Sequence, residues 1–205
     1  MPARSLLTKY IQPLAVPGAG IVVATPSGMN QYAFTLLEIA RQLHPNLPPT
    51  PFWAYDDGSG LGGQAGSFGM AVVAQSGIAL DVSYTSNLPE FYPDWIPVDT
   101  RLTPLGNHVR MMTHLHGGFV NADSDGNPAI MPNGFGPGDT QIVHYSNQLP
   151  QMPASVLWFH DHGLVPHGLM FSRGWPQLIS FATSTTPGRS LTQSVSRAER
   201  TKFHS

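Results

Sequence analysis

The chain has 205 residues, a formal net charge of −2, and only 11% charged against 41% hydrophobic residues. That is length enough for one domain with a buried core and too little charge for a disordered polyelectrolyte, and the near-neutral balance gives no electrostatic case for nucleic acid. It has no cysteine, which excludes disulfides, thiolate zinc sites, cysteine nucleophiles and a blue-copper centre, since the last needs a thiolate beside two histidines.

With 21 glycines and 20 prolines, the composition favours short strands and many turns over long helices. The opening residues Met1 to Leu7 lack the apolar core of a signal peptide, and no apolar run is long enough to span a bilayer. The expectation is a soluble, unexported chain, cytoplasmic by default, with no membrane partner.

Leu6 to Pro17 reads as an extended, proline-punctuated lead-in. Residues 31–43 are ambiguous: Tyr32, Phe34 and Leu36 alternate as in a strand, while Leu36, Ile39, Ala40 and Leu43 fit a helical face. The proline cluster after Asn46 leads to a strand-like aromatic piece, Phe52 to Tyr55, and Asp56 to Gly66 is a glycine-rich loop without the lysine or context of a phosphate loop. Ala71 to Tyr84 carries a strand signal, with Ile78, Leu80, Val82 and Tyr84 alternating. Proline-broken coil runs to Gly106. Asp123 to Pro128 is a turn, and Gln141 to Tyr145 a further strand. Short, irregularly spaced strands with rich turns predict an all-β sandwich or barrel.

Two histidine pairs stand out in this frame, Thr113-His114-Leu115-His116-Gly117-Gly118 and Trp158-Phe159-His160-Asp161-His162-Gly163. On strands, a period of two puts both imidazoles of each pair on one face, with Cα atoms roughly 6.6–7 Å apart. The first face also takes in His108, Arg110 and Met112, and the second takes in Val156 and Trp158. If the two strands are neighbours, four imidazoles converge, and imidazole suits Zn, Cu, Fe and Ni alike. Asp161 falls on the opposite face, as a supporting carboxylate rather than a ligand. Met112 is read as core, and His44, His108, His144, His167 and His204 as surface or structural residues. A mononuclear zinc or copper hydrolase using three of the histidines lacks an evident general base on their face.

These motifs and their flanks closely resemble the multicopper oxidases, in the branch of the bacterial spore-coat laccase, bilirubin oxidase and phenoxazinone synthase. The resemblance lies in LTKYIQPL, QLHPNLPPTPFWAY, SNLPE, IPVDTRL, THLHGGFV, SDGNP and SNQLP leading to VLWFHDHG, and covers about residues 6–164. It implies a cupredoxin-like Greek-key β-sandwich, the first of three such domains, and resolves the ambiguity around residues 32–39 in favour of a strand. By motif position it implies that His114 ligates a type 2 copper, that His116, His160 and His162 ligate a type 3 pair, and that Asp125 helps supply protons during O2 reduction. It further implies one-electron oxidation of phenols, pigments, aromatic amines or metal ions, coupled to reduction of O2 to water.

The chain departs from that pattern. The family's cluster takes eight histidines, four from the first domain and four from the last, and electrons enter through a type 1 copper whose His-Cys-His segment is absent here. What remains implies a copper-binding half-site, without a type 1 site and inactive alone because the second and third domains are missing. The alternative is a copper- or partner-binding cupredoxin module completed by a second polypeptide.

Residues 165–205 differ in kind. They hold five basic residues (Arg173, Arg189, Arg197, Arg200, Lys202) against the single acid Glu199, and they are Ser/Thr-rich after Ser180. The family continues past the second motif with T-R-x-N-V-Y-A-G-L-A-G-x-Y-I-I-R-D, the closing strand of the domain, which this text does not match. Read from the third base of each codon, Met170-Phe171 must give Val and Trp175-Pro176 must give Ala. Suitable wobble bases then complete T-R-x-N-V-F-A-G-L-A-x-x-Y-x-I-R-D across residues 166–183, and the end of the tail reads like the family's following linker. The expectation is therefore a domain at 1–164 lacking its closing strand, and a non-homologous, disordered, out-of-frame tail at 165–205 that follows a one-base shift near Leu164–Val165.

Overall fold

The computed structural model describes residues 7–8, 11, 13, 15–62, 69–94, 96, 98, 105–148, 155–163 and 181–183. Among them every regular element is a strand: β1 (Val16–Pro17), β2 (Gly20–Ile21), β3 (Gln31–Arg41), β4 (Thr50–Asp56), β5 (Val72–Ala74), β6 (Leu80–Ser86), β7 (Thr113–His116), β8 (Thr140–Tyr145), β9 (Val156–Asp161) and β10 (Phe181–Thr183). One four-stranded sheet runs β4-β3-β6-β8 and the other β5-β10-β9-β7, while β1 and β2 form a small parallel pair. Among the described residues neither large sheet closes on itself.

Alternation drives the packing. Tyr32, Phe34 and Leu36 of β3, Leu80, Val82 and Tyr84 of β6, and Val143 and Tyr145 of β8 are buried against Val72, Leu115, Leu157 and Phe159 of the facing sheet. Phe159 is the hub, with its ring centroid 5.0 Å from Tyr55, 5.5 Å from Tyr84 and 5.8 Å from Phe34. Because Phe159 points inward, the strand period turns its neighbours Trp158 and His160 to the outer face of β9.

The ambiguous stretch is a strand, since β3 pairs antiparallel with β4 and parallel with β6 along its length. Two readings need correction. The signal over 71–84 is two strands, β5 and β6, separated by a turn in which Ile78 is 40% exposed, because Gly77 takes a positive φ of 83° that ends the extended run. Likewise the first histidine strand begins only at Thr113. Residues 108 and 111 make isolated bridges to Phe91 and Phe135, and Met111 and Met112 are both fully buried, so the regular alternation does not extend back to His108.

The tail contributes one described element. β10 lies between β5 and β9, parallel to the first with Phe181 opposite Val72, and antiparallel to the second with Phe181 opposite Leu157. It pairs with only two residues of β9, Val156 and Leu157. No helix among the described residues is long and apolar enough to cross a membrane.

Candidate metal centre

β7 and β9 are antiparallel neighbours, in a register that sets His114 opposite His160 and His116 opposite Trp158. The single outer face expected from the two motifs thus becomes one continuous patch. His162 follows directly on β9, and its backbone N–H donates to the Met112 carbonyl at 2.7 Å, continuing the pairing by one step. The ring centroid of His114 lies 5.8 Å from His116, 5.4 Å from His160 and 4.8 Å from His162. Donor nitrogens of His114, His116 and His160 all fall within 4.8 Å of one another.

What fixes two of the rings is visible in their second nitrogen. His114 Nδ1 donates to the main-chain carbonyl of Asp125 at 2.5 Å, with the Asp125 carboxylate 3.3 Å away. His160 Nδ1 donates to the carbonyl of Asp161 at 2.7 Å. Both interactions set the tautomer, with the proton on Nδ1 and Nε2 left as the acceptor nitrogen that a metal would use. His116 is turned the other way, its Nδ1 3.3 Å from His160 Nε2. Burial, reinforced by His114, His162 and His116 nearby and opposed by the Asp161 carbonyl, pushes His160 down to about 4. It is therefore a neutral imidazole at ordinary pH, the form that ligates.

The supporting elements explain why these strands hold their places. Thr113 starts β7 and is fastened from the other sheet. Its N–H donates to Gln141 Oε1 at 2.8 Å, its carbonyl accepts from Gln141 Nε2 at 3.1 Å, and its hydroxyl lies 3.1 Å from the Tyr55 hydroxyl. Asp161 lies away from the imidazoles, as expected of it, and accepts from the Met112 N–H at 2.8 Å and the Gly163 N–H at 3.3 Å. Asp125 reaches His114 because the 121–126 turn folds back onto β7. Gly126 takes φ +68° there, and a Cβ on it would overlap the Thr113 carbonyl.

The other histidines are elsewhere. His44 bridges Thr8 and Asn46, His108 sits 3.7 Å from Glu90, and His144 pairs with Asp81 at 2.7 Å on the outside of the other sheet. His167 and His204 lie outside the described residues. Two participants were not singled out from sequence. Gln141 looks like any polar residue in a strand, and Trp158 looks like core until its ring is seen stacked at 4.6 Å on His116 and 4.2 Å on His160.

No protein-family profile matches the chain. It is 30% identical over 169 residues to a laccase of Bacillus subtilis (77% of this chain, 30% of the relative) and 28% identical over 201 residues to a laccase of Haloferax volcanii (90% and 32%). It is 32% identical over 129 residues to the multicopper oxidase LPR1 of Arabidopsis thaliana (60% and 21%). In fold it is similar to a multicopper oxidase from Campylobacter jejuni, with TM-score 0.54, 16% identity, and coverage of 84% of this chain and 30% of that one. It is also similar to a laccase from Pediococcus acidilactici, with TM-score 0.51, 21% identity, and coverage of 77% and 27%. The chain spans less than a third of the length of each of these proteins. Histidine motifs on adjacent strands of an open β-sandwich, matched by sequence to laccases and by fold to multicopper oxidases, lead to one assignment: the chain belongs to the multicopper oxidase family and carries a cupredoxin domain of it.

Proposed function

We propose that this chain is the copper-holding first domain of a laccase-like multicopper oxidase, contributing half of a trinuclear site and performing no oxidase turnover alone. The observation that carries the reading is the convergence of three imidazole donors within 4.8 Å, two of them with Nδ1 committed to main-chain carbonyls. The donor set fits copper, since imidazoles without a thiolate suit type 2 and type 3 centres and preclude a type 1 centre. His114 and His160 would ligate through Nε2 and His116 through Nδ1, with His162 completing the set. In family terms His114 belongs to the type 2 ion, and His116, His160 and His162 to the type 3 pair.

Copper held there supplies one-electron chemistry toward O2, fed in the complete protein by a small aromatic or metal-ion substrate. The chain's own residues would orient the imidazoles, and Asp125, whose carboxylate stands 3.3 Å from His114, would take the proton-supplying role that the family resemblance implies. Titrating Cu(II) into the full chain tests this. Binding that is lost in His160→Ala, with no intense thiolate-to-copper band and no oxidation of phenols, is the expected result. Binding indifferent to His160→Ala would refute it.

A second reading, a cupredoxin module completed by a separate polypeptide, is favoured by the character of the histidine face. Val156 is 73% exposed beside Trp158, and Val73 on the same sheet is 38% exposed, an apolar rim suited to being covered. Oxidase activity restored by adding a polypeptide that carries the remaining histidines and a cysteine supports this reading, and failure at saturating concentration counts against it.

For residues 165–205 we propose out-of-frame translation after a one-base shift. Besides the forced Val and Ala, the shifted frame sets I-R-D across 180–183, and β10 occupies 181–183 between β5 and β9. The Haloferax volcanii match covers 90% of the chain and so runs into this tail, a degree of likeness the shifted frame must also accommodate. The nucleotide sequence decides: codons lacking the required wobble bases refute the shift.

A further inference from the structure

The candidate ligands are not all held alike. His114 and His160 each give Nδ1–H to a main-chain carbonyl. His116 has no such acceptor among the described residues. Its Nδ1 is instead hydrogen-bonded at 3.3 Å to His160 Nε2, an atom that would itself face a metal, so that bond cannot hold the ring once a metal sits between them, and the residue is exposed at the edge of the sheet. Rotation about χ2 is broad for an imidazole, so a ring without a hydrogen bond on its outer nitrogen is not oriented by its own torsions.

What lies against His116 is Trp158, its register partner on β9. The indole and imidazole centroids are 4.6 Å apart with planes 21° from parallel. The same indole is 4.2 Å from His160 at 26°. Contacts among the histidine rings themselves run from 4.8 to 5.8 Å and from 42° to 77°. One indole therefore lies nearly face-on to two imidazoles, and no pair of imidazoles lies so close or so parallel. Core filling does not account for it, because Trp158 is only half-buried and Phe159 next to it occupies the interior.

We infer that Trp158 is the positioning residue of this site: by stacking on His116 and His160 together, it holds His116 with Nδ1 turned toward the metal. It does for His116 what the Asp125 and Asp161 carbonyls do for the other two rings. The inference rests on the copper reading above for its consequence, and on ring geometry alone for its mechanism.

Both parts are testable on the full chain. Cu(II) is titrated into the wild type, Trp158→Phe, Trp158→Leu, His116→Ala and the Trp158→Leu/His116→Ala pair. Trp158→Phe, which keeps a stacking face, stays within about twofold of wild type, while Trp158→Leu binds roughly tenfold more weakly, the scale on which ligand-orienting neighbours act. In Trp158→Leu the electron paramagnetic resonance of bound Cu(II) shows one fewer coordinated nitrogen. In the His116→Ala background Trp158→Leu has no further effect. In the metal-free chain, diethyl pyrocarbonate modifies His116 several-fold faster in Trp158→Leu, with His44 and His144 as unchanged internal standards; Trp158→Thr, suited to a strand, replaces the Leu variant if that fails to fold.

A folded Trp158→Leu with unchanged affinity and unchanged His116 reactivity overturns the inference, as does an equal loss of affinity with His116 absent. A wild type that takes no Cu(II), while His116 reactivity still rises in Trp158→Leu, refutes the copper reading and supports the role of Trp158.

Discussion

His114 depends on a turn eleven residues away in sequence for its orientation. The acceptor that holds its Nδ1 is the main-chain oxygen of Asp125 rather than the carboxylate. Asp125→Ala is therefore expected to leave Cu(II) affinity within about threefold of wild type, since the acceptor oxygen survives the substitution. Gly126→Ala is expected to be worse although it alters no charged or ligating group. Its positive φ and the Thr113 carbonyl leave no room for a Cβ, at a cost of about 1–3 kcal/mol, read as a fall in Tm of several degrees together with weaker copper binding.

Asp57 gives a pH test remote from the metal. Desolvation raises its pKa, but the Ser59 hydroxyl and the Thr25 and Ser59 amides outweigh that and hold the carboxyl below its ordinary range. A depressed carboxyl stabilises the fold fully above the unfolded pKa of about 3.9 and ceases to do so as pH falls through the lower folded value. Thermal melts between about pH 5 and 2.5 should show a shallower acid loss in Asp57→Asn than in wild type.

β7 is an edge strand, and edges are where sheets slip or aggregate. Its open side is closed at Thr113 by a side chain, Gln141, that pairs with both backbone groups across the sandwich. Gln141→Leu leaves a buried N–H and a buried carbonyl unmet, which predicts a loss of about 2–4 kcal/mol in a denaturant titration. Gln141→Glu is expected to fall between, because it keeps the acceptor and loses the donor.

β10 can be tested as an element in a chain without native cysteines. Ala182 and Val156 are opposite in the antiparallel pairing, a separation compatible with a disulfide. Ala182→Cys with Val156→Cys should oxidise to a monomeric, cross-linked species seen by mass spectrometry under non-reducing conditions. Failure to cross-link, or cross-linking only between chains, contradicts β10 as placed.

For the molecule as a whole, two open sheets and an outward apolar rim leave work for something else to cover. β10 pairs with two of the six residues of β9, and Val156 and Ile142 are 73% and 74% exposed. The chain expressed alone is expected to be poorly soluble and to self-associate as its concentration rises. A chain that stays monomeric and soluble at high concentration, checked by light scattering, would contradict this. Replacing the tail with the shifted-frame segment, if the nucleotide sequence supports it, should then improve solubility by lengthening the strand between β5 and β9.

By itself the sequence determined the all-β class, the two same-face histidine pairs and their family, and the absence of any thiolate. Those rest on period-two alternation, local spacing and residue identity, all carried within a few residues of chain. It also turned Asp161 away from its two histidine neighbours, by parity alone. Sequence did not determine that strand periodicity begins at Thr113 rather than His108, because two consecutive methionines are buried there and burial on both sides follows from the surroundings. Only the tertiary structure decided that His114 faces His160, that an Asp125 carbonyl rather than a carboxylate holds His114, that Gln141 closes the edge of β7, and that Trp158 stacks on two imidazoles. Each of these joins residues far apart in the chain through a register or a turn. Register is set by how a whole face packs, and no local pattern encodes it.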